Sequence, residues 1–163
     1  MSQTMMRPSQ GRGQRSPVRG KDTVTILREV MRQQLGNPQE VEEFINNIAK
    51  LCSAKSAKPI QIGNTVFLAL HTDFRGQPLP QGVAEIHLFS AEPFNQTAKR
   101  MMVLPNTLRE LGYSKFTTYV TDTAMSNLMQ LMQKKLGLQA SFKQDVQMID
   151  DEMTPVIRVE VQL

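Results

Sequence analysis

Glu85 and His87 are the two side chains whose types and spacing best suit acid–base chemistry in this chain. They stand two residues apart in the largely apolar segment 83–90, and this spacing places both side chains on one face of a β-strand. A carboxylate beside an imidazole can orient the ring for proton transfer near neutral pH. His71 follows the preceding apolar segment, and we expect it to lie across from the pair. Alternatively, the three are partly buried polar groups that only satisfy one another or a helix end.

A second candidate site is a basic segment at the start of the sequence. Residues 1–21 carry five basic residues and no acidic one, whereas residues 22–163 carry 14 Lys and Arg against 15 Asp and Glu, so the net charges are +5 and −1. The five are Arg7, Arg12, Arg15, Arg19 and Lys21. The segment is rich in Gly, Pro, Ser and Gln, which predicts a disordered arm. It either contacts nucleic-acid phosphates or a partner protein, or is a solubilising tail.

Several classes of protein and site are excluded by composition. No run approaches the roughly 18 apolar residues of a membrane span, and the basic start lacks the apolar stretch of a secretory signal. The single cysteine, Cys52, has no Cys or His spacing typical of zinc, so we predict no metal site. Hydrophobic residues make up 40% and charged residues 21%, an ordinary globular balance. We therefore expect one domain over residues 22–163, in the cytoplasm and without membrane contact.

Hydrophobic periodicity and capping residues place the elements along this domain. Helices are predicted at about 22–35 and 38–51, from a Thr97 cap to residue 111, and from a cap at 121–123 to residue 136. Within the third helix, Pro105 should either kink the helix or start a second helical piece. Strands are predicted at 59–62, 65–71, 83–90, 115–120, 141–148 and 155–163. The last helix should bury the face that carries Ala124, Leu128, Leu131, Met132 and Leu136.

The resulting order, α-α-β-β-β-α-β-α-β-β, defines the fold class. A strand–helix–strand passage in the middle requires a parallel crossover, and the hairpins at both ends require antiparallel pairs. We predict a mixed α/β (α+β) domain with a single sheet, both parallel and antiparallel, and helices on both faces.

The stretch from Val83 to Leu163 resembles the second half of the GNAT acyltransferase fold, and most closely the short, divergent versions encoded by tailed bacteriophages. The residues that carry the resemblance are Glu85-Ile86-His87-Leu88-Phe89, Leu108-Arg109-Glu110-Leu111-Gly112-Tyr113, Thr117 to Thr123, and Lys135-Leu136-Gly137. The order and spacing of elements, rather than a single motif, support it.

The resemblance implies an acyl-CoA site in the loop after the central strand. There the family binds pyrophosphate on backbone N–H groups at a helix start, through the motif Gln/Arg-x-x-Gly-x-Gly/Ala. The matching residues 91–100 contain no glycine, and they include Glu92 and Pro93. Candidate cofactor-binding residues are Asn95, Gln96, Thr97, Lys99 and Arg100. The alternative is an ordinary helix start with two solvated bases.

The resemblance also implies two functions. In the first, acetyl-CoA is the cofactor of an active N-acetyltransferase, with Glu85 and His87 as the general base; the family's acid, commonly Tyr, has no clear counterpart. In the second, catalysis is lost and the domain is a structural or assembly component of a phage virion. Its basic arm then binds other virion proteins or DNA, in the host cytoplasm or in the particle. We favour the second, because the phosphate loop is degraded. A regulatory nucleic-acid-binding protein has only the arm in its favour.

Overall fold

A computed structural model describes residues 20–73 and 75–163 of the chain. The ten elements in this part follow the predicted order. The helices are α1 (Thr23–Leu35), α2 (Pro38–Ser53), α3 (Phe94–Glu110) and α4 (Thr123–Leu136). The strands are β1 (Ala57–Ile62), β2 (Thr65–Leu70), β3 (Val83–Ser90), β4 (Lys115–Val120), β5 (Gln139–Ile149) and β6 (Glu152–Gln162). The predicted disorder of residues 1–21 falls almost entirely on residues 1–19, which lie outside the described residues.

The six strands form one sheet in the order β1-β2-β3-β4-β6-β5. Neighbouring strands are antiparallel except β3 and β4, which are parallel and joined through α3. Ile26 and Leu27 of α1 pack with Val66 on one face of the sheet. Leu104 and Leu108 of α3 and Met129 of α4 belong to the larger core cluster on the other face. The predicted single mixed sheet with helices on both faces is therefore confirmed.

The parallel pairing of β3 and β4 is short. Only three residue pairs join them, from Val83↔Lys115 to Glu85↔Thr117, although both strands continue further. The Thr118 hydroxyl donates to the Ile86 carbonyl across the strands at 2.9 Å, next to the last pair. The sheet consequently opens between its two central strands.

Local signals set the helix ends. Asp22 caps α1 and Asp122 caps α4, each accepting a hydrogen bond from a backbone N–H of the first turn. Gly36 and Gly137 end the same helices in the left-handed conformation, at φ 68° and 64°. Glycine adopts this conformation without strain, so these ends were readable from the sequence.

Helix α3 differs from its prediction in two ways. It begins at Phe94 rather than after a Thr97 cap, because the Thr97 hydroxyl turns inward and bonds the carbonyl of Pro93 and the hydroxyl of Ser90. In addition, no second helical piece starts at Pro105, because α3 continues through it as one helix. Pro105 is buried, so packing offsets the one backbone hydrogen bond that proline cannot donate.

The buried face of α4 also differs from its prediction. Leu128 and Met132 are buried as expected, but Met129 is 1% exposed whereas Leu131 is 45% exposed. Ala124 and Leu136 are exposed too. Leucine and methionine occur around most of this helix, so two apolar stripes with helical spacing compete, and only contact with the sheet selects one.

No helix in residues 20–73 and 75–163 combines the length and the apolarity needed to cross a membrane.

We predict that Leu108→Ala lowers the free energy of unfolding by about 2–5 kcal/mol, since Leu108 is fully buried between α3 and the sheet. Leu131→Ala on α4, which removes the same atoms from an exposed side chain, should change it by less than about 0.5 kcal/mol. Urea unfolding of both variants measures the difference. Equal losses would contradict the observed orientation of α4.

Candidate functional site

A cavity of about 450 Å³, here called the β3–β4 cleft, lies where the two central strands separate. Its walls include His87 and Phe89 from β3, Thr118 and Tyr119 from β4, and Met125 from α4. Successive residues of a strand point their side chains to opposite faces of the sheet. In both strands, residues of either orientation line this cavity. The cleft therefore passes between the strands and is bounded by groups from both faces of the sheet.

Glu85 and His87 lie on one face of β3, and His87 lines this cleft. His87 Nε2 is 2.6 Å from Glu85 Oε2, a short hydrogen bond. The Glu85 side chain is 12% exposed and that of His87 is 43% exposed. The more buried carboxylate therefore holds the ring, while the ring lines the cleft. The predicted shared face is confirmed; a role as general base stays a prediction.

His71 does not join this pair, contrary to our expectation. Its Nε2 is 2.6 Å from the Tyr113 hydroxyl and its Nδ1 is 3.0 Å from the Lys55 carbonyl. The register explains the difference, since Leu70 stands opposite Glu85. His71, one residue further on, points to the other face. Burial raises the pKa of Tyr113, which packs on the His71 ring.

Tyr119 is the residue of this site that sequence reasoning missed. Thr117 stands beside Glu85, so Tyr119 lies two residues further along on the same face and reaches the cleft wall. Burial, together with the Glu85 carboxylate, raises its pKa, so the phenol keeps its proton at neutral pH. The parallel register of β3 and β4 would have pointed to it, but that register is not readable from the sequence.

The backbone donors of the β3–α3 loop are largely used within the protein. The N–H of Ala91 donates to the Asn64 carbonyl at 3.1 Å, and the N–H of Glu92 donates to the Ser90 hydroxyl at 3.1 Å. Pro93 has no N–H to donate. At the start of α3, the Gln96 N–H donates to its neighbour's side chain, Asn95 Oδ1, at 3.0 Å.

The Glu92 carboxylate is bound from several sides. Arg100 donates to it from Nε at 3.1 Å and Nη2 at 2.9 Å, the Thr65 hydroxyl at 2.8 Å and the Asn64 N–H at 3.2 Å. The Glu92 side chain is only 10% exposed. The pKa of this carboxyl group lies below its usual range, and the hydrogen bond from Arg100 is the largest cause. The carboxylate of this loop is thus bound by α3 and by the β1–β2 hairpin.

The five candidate cofactor-binding residues therefore have different surroundings. Thr97 is buried and Arg100 pairs with Glu92. Asn95 bonds the neighbouring N–H. Gln96 is half-buried and Lys99 is exposed. The structure does not gather them around a common point.

The residues of this loop do not fit an acyl-CoA pyrophosphate. A dianion at a helix start needs free N–H groups and unpaired cations. Here Ala91 and Glu92 donate internally, and the Glu92 carboxylate, only 10% exposed, adds a negative charge close to the helix start. Guanidinium charge from Arg100 is already neutralised.

Lys21, expected to belong to the arm, belongs to the folded body. Its backbone N–H donates to Asn64 Oδ1 at 2.9 Å, and its ammonium pairs with Glu29 of α1 at 2.8 Å. Gln61 donates to its carbonyl. The other four basic residues of the predicted arm, Arg7, Arg12, Arg15 and Arg19, lie outside the described residues.

Solved structures similar to this chain are acetyltransferases. A chimera of the spermidine N-acetyltransferase SpeG from Vibrio cholerae with hSSAT has a TM-score of 0.60 at 10% identity, over 88% of this chain and 93% of that one. A putative acetyltransferase from Acinetobacter baylyi scores 0.59 at 12% identity, over 86% and 87% of the two chains. A putative ribosomal-protein-serine acetyltransferase from Vibrio cholerae scores 0.52 at 10% identity, over 86% and 88%.

Comparison by sequence adds nothing to these likenesses. A scan against protein-family models found no match, and neither did a search of the curated proteins. The structural likeness establishes the fold: this chain has the GNAT acetyltransferase fold.

We predict that Glu92→Gln costs about 1 kcal/mol of stability at pH 7 and that this cost disappears in acid. Because folding lowers the pKa of Glu92 below its usual 4.5, the ionised carboxylate stabilises the fold above that pH. The contribution is lost as the pH falls through the lower, folded-state pKa. Urea unfolding of both proteins between pH 7 and 3 measures it, with the exposed Glu110→Gln as a control. A difference that does not depend on pH would be incompatible with an ionised, paired Glu92.

Proposed function

We propose that this chain is a catalytically degenerate GNAT-fold protein that serves as a structural or assembly component of a bacteriophage virion. The observation that carries the loss of catalysis is the Glu92 carboxylate at the start of α3, held by Arg100 and by the β1–β2 hairpin. An enzyme that binds acyl-CoA needs this position for phosphates. In this chain the position is used to join the loop to the hairpin.

The assembly role is supported by the sequence rather than by the site. Residues 1–19 carry four arginines and no acidic residue. Such a segment attracts nucleic-acid phosphates or acidic protein surfaces. The resemblance to phage-encoded GNAT-like domains indicates the setting. We propose that the segment binds other virion proteins or DNA, first in the host cytoplasm and then in the particle.

An active acyl-CoA-dependent N-acetyltransferase is the second candidate, favoured by the Glu85–His87 pair, of which His87 lines the β3–β4 cleft. In this case His87 accepts a proton from an amine in the cleft, and the Glu85 carboxylate, at 2.6 Å, stabilises the imidazolium that forms. Tyr119 on the opposite wall supplies a protonated hydroxyl. Acetyl-CoA would bring the acyl group. The poor fit of its pyrophosphate in the loop weighs against this candidate.

We predict that acetyl-CoA binds the wild-type protein with a dissociation constant weaker than about 100 μM, a binding free energy smaller than roughly 5.5 kcal/mol. Glu92→Gln should bind about tenfold tighter, because it removes a negative charge and releases Arg100. Isothermal titration calorimetry measures both, and Glu110→Gln, at the far end of α3, is the control for a change in net charge.

Tight binding by the wild-type protein would put the acetyltransferase first. Such a result would be followed by amine acetylation assays of Glu85→Gln and His87→Gln, which should each lose activity by about 10²-fold or more if the pair is the base.

We further predict that mass spectrometry of purified phage particles finds this protein at a stoichiometric copy number. A variant lacking residues 1–19 should fold, because Lys21 and its contacts remain, but should not enter particles. Circular dichroism checks the fold of the variant. Absence of the full chain from particles would contradict the virion role, and normal incorporation of the shortened chain would contradict the role of the segment.

A further inference from the structure

Strand β5 lies at one edge of the sheet and is one of its two longest strands, with 11 residues. It pairs with β6 along its whole length, which leaves its other side as an edge. Apolar side chains on this strand are exposed, Val146 by 49% and Met148 by 64%. A long edge strand with exposed apolar side chains is a template for pairing with another strand.

The backbone groups of β5 that point outward can be identified from Val146. Val146 stands opposite Pro155, which has no N–H, and its own N–H donates to the Asp145 side chain at 2.8 Å instead of to β6. Val146 is therefore in a non-hydrogen-bonded pair with β6. Every second residue of β5, counted from Val146, therefore directs its backbone N–H and C=O groups away from β6, to the open edge. These are Ala140, Phe142, Gln144, Val146 and Met148.

We propose that β5 pairs with β5 of a second copy of this chain, antiparallel and with a two-fold axis at Gln144. In this register all 11 residues pair, and the outward-pointing residues form the hydrogen-bonded pairs. Phe142 meets Val146 of the second copy, and Ala140 meets Met148. Lys143 meets Asp145, twice by symmetry.

The charges of Lys143 and Asp145 favour this register over the two registers in which the axis is moved by one residue. Moving the axis to residue 143 places two lysines opposite each other, and moving it to residue 145 places two aspartates there. Like charges directly opposite are unfavourable, whereas opposite charges are favourable. Of these three positions, only an axis at Gln144 forms the Lys143–Asp145 pairs and also pairs every residue of β5.

The pairing makes one sheet of 12 strands from two sheets of six. It covers Val146 and Met148 with apolar partners and replaces the local Asp145–Val146 hydrogen bond by a bond between copies. It also lies beside the β3–β4 cleft, because Gln147 and Ile149 of β5 line that cleft. The interface is isologous, as expected of a two-fold dimer.

Sedimentation velocity and light scattering on the full chain test the dimer. We expect a mass of twice 18.4 kDa at high concentration, falling towards 18.4 kDa on dilution. Lys143→Glu should weaken the dimer at least tenfold, because it places a glutamate opposite Asp145. The double variant Lys143→Asp, Asp145→Lys should restore it, because the pair is reversed. Lys58→Glu on β1, the other edge strand, is the matched control and should leave the dimer unchanged.

A wild-type chain that stays at 18.4 kDa up to about 1 mM would overturn the proposal. So would a dimer that Lys143→Glu does not weaken, or one that Lys58→Glu weakens as much. A dimer that Lys143→Glu weakens but the reversed pair does not restore would also reject this register.

A cross-link locates the axis independently. In a Cys52→Ser background, Gln144→Cys should form a disulfide between copies on mild oxidation, since hydrogen-bonded antiparallel partners have Cα atoms about 5.5 Å apart. Gln139→Cys should not, because its two copies would be roughly 30 Å apart. Equal cross-linking of both would overturn the register.

Discussion

The separation of β3 from β4 after only three residue pairs is the constraint on which the rest of the structure depends. A continued parallel ladder would fill the centre of the sheet with backbone hydrogen bonds and leave no opening. Because the ladder stops at Glu85 and Thr117, the side chains beyond it face a cleft rather than a neighbouring strand. The same separation lets the side chains of His87 and Tyr119 line one cavity. The crossover helix α3 begins after the end of β3.

The start of α3 illustrates how one charged residue changes the use of a common structural feature. Free N–H groups and the positive end of the helix dipole favour an anion there. In this chain Glu92 brings a carboxylate close to the helix start, where it accepts from Arg100, Thr65 and Asn64 rather than from N–H groups of the first turn of α3. The chain has the fold of acetyltransferases, and at this helix start the Glu92 carboxylate joins the loop to the β1–β2 hairpin. A fold does not by itself determine an activity, because the residues of the site do.

Much of the fold could be predicted because its signals are local. The cap of α4 within residues 121–123, its end at Gly137 and the bounds of β3 and β4 depend on residues close in sequence, and the structure confirms them. The start of α3 could not, because Thr97 resembles a cap but finds a partner in Ser90 on a neighbouring strand. The buried side of α4 could not either, since contacts with the sheet select between two apolar stripes.

For the candidate site, the sequence by itself determined that Glu85 and His87 share a face, because alternation along a strand needs no partner. It also determined that the loop after β3 lacks glycine and contains a carboxylate. Only the tertiary structure decided that His71 lies on the other face, that Tyr119 reaches the cleft, and that Glu92 binds Arg100. These depend on strand register and on the contact of elements far apart in the chain, which local periodicity does not encode.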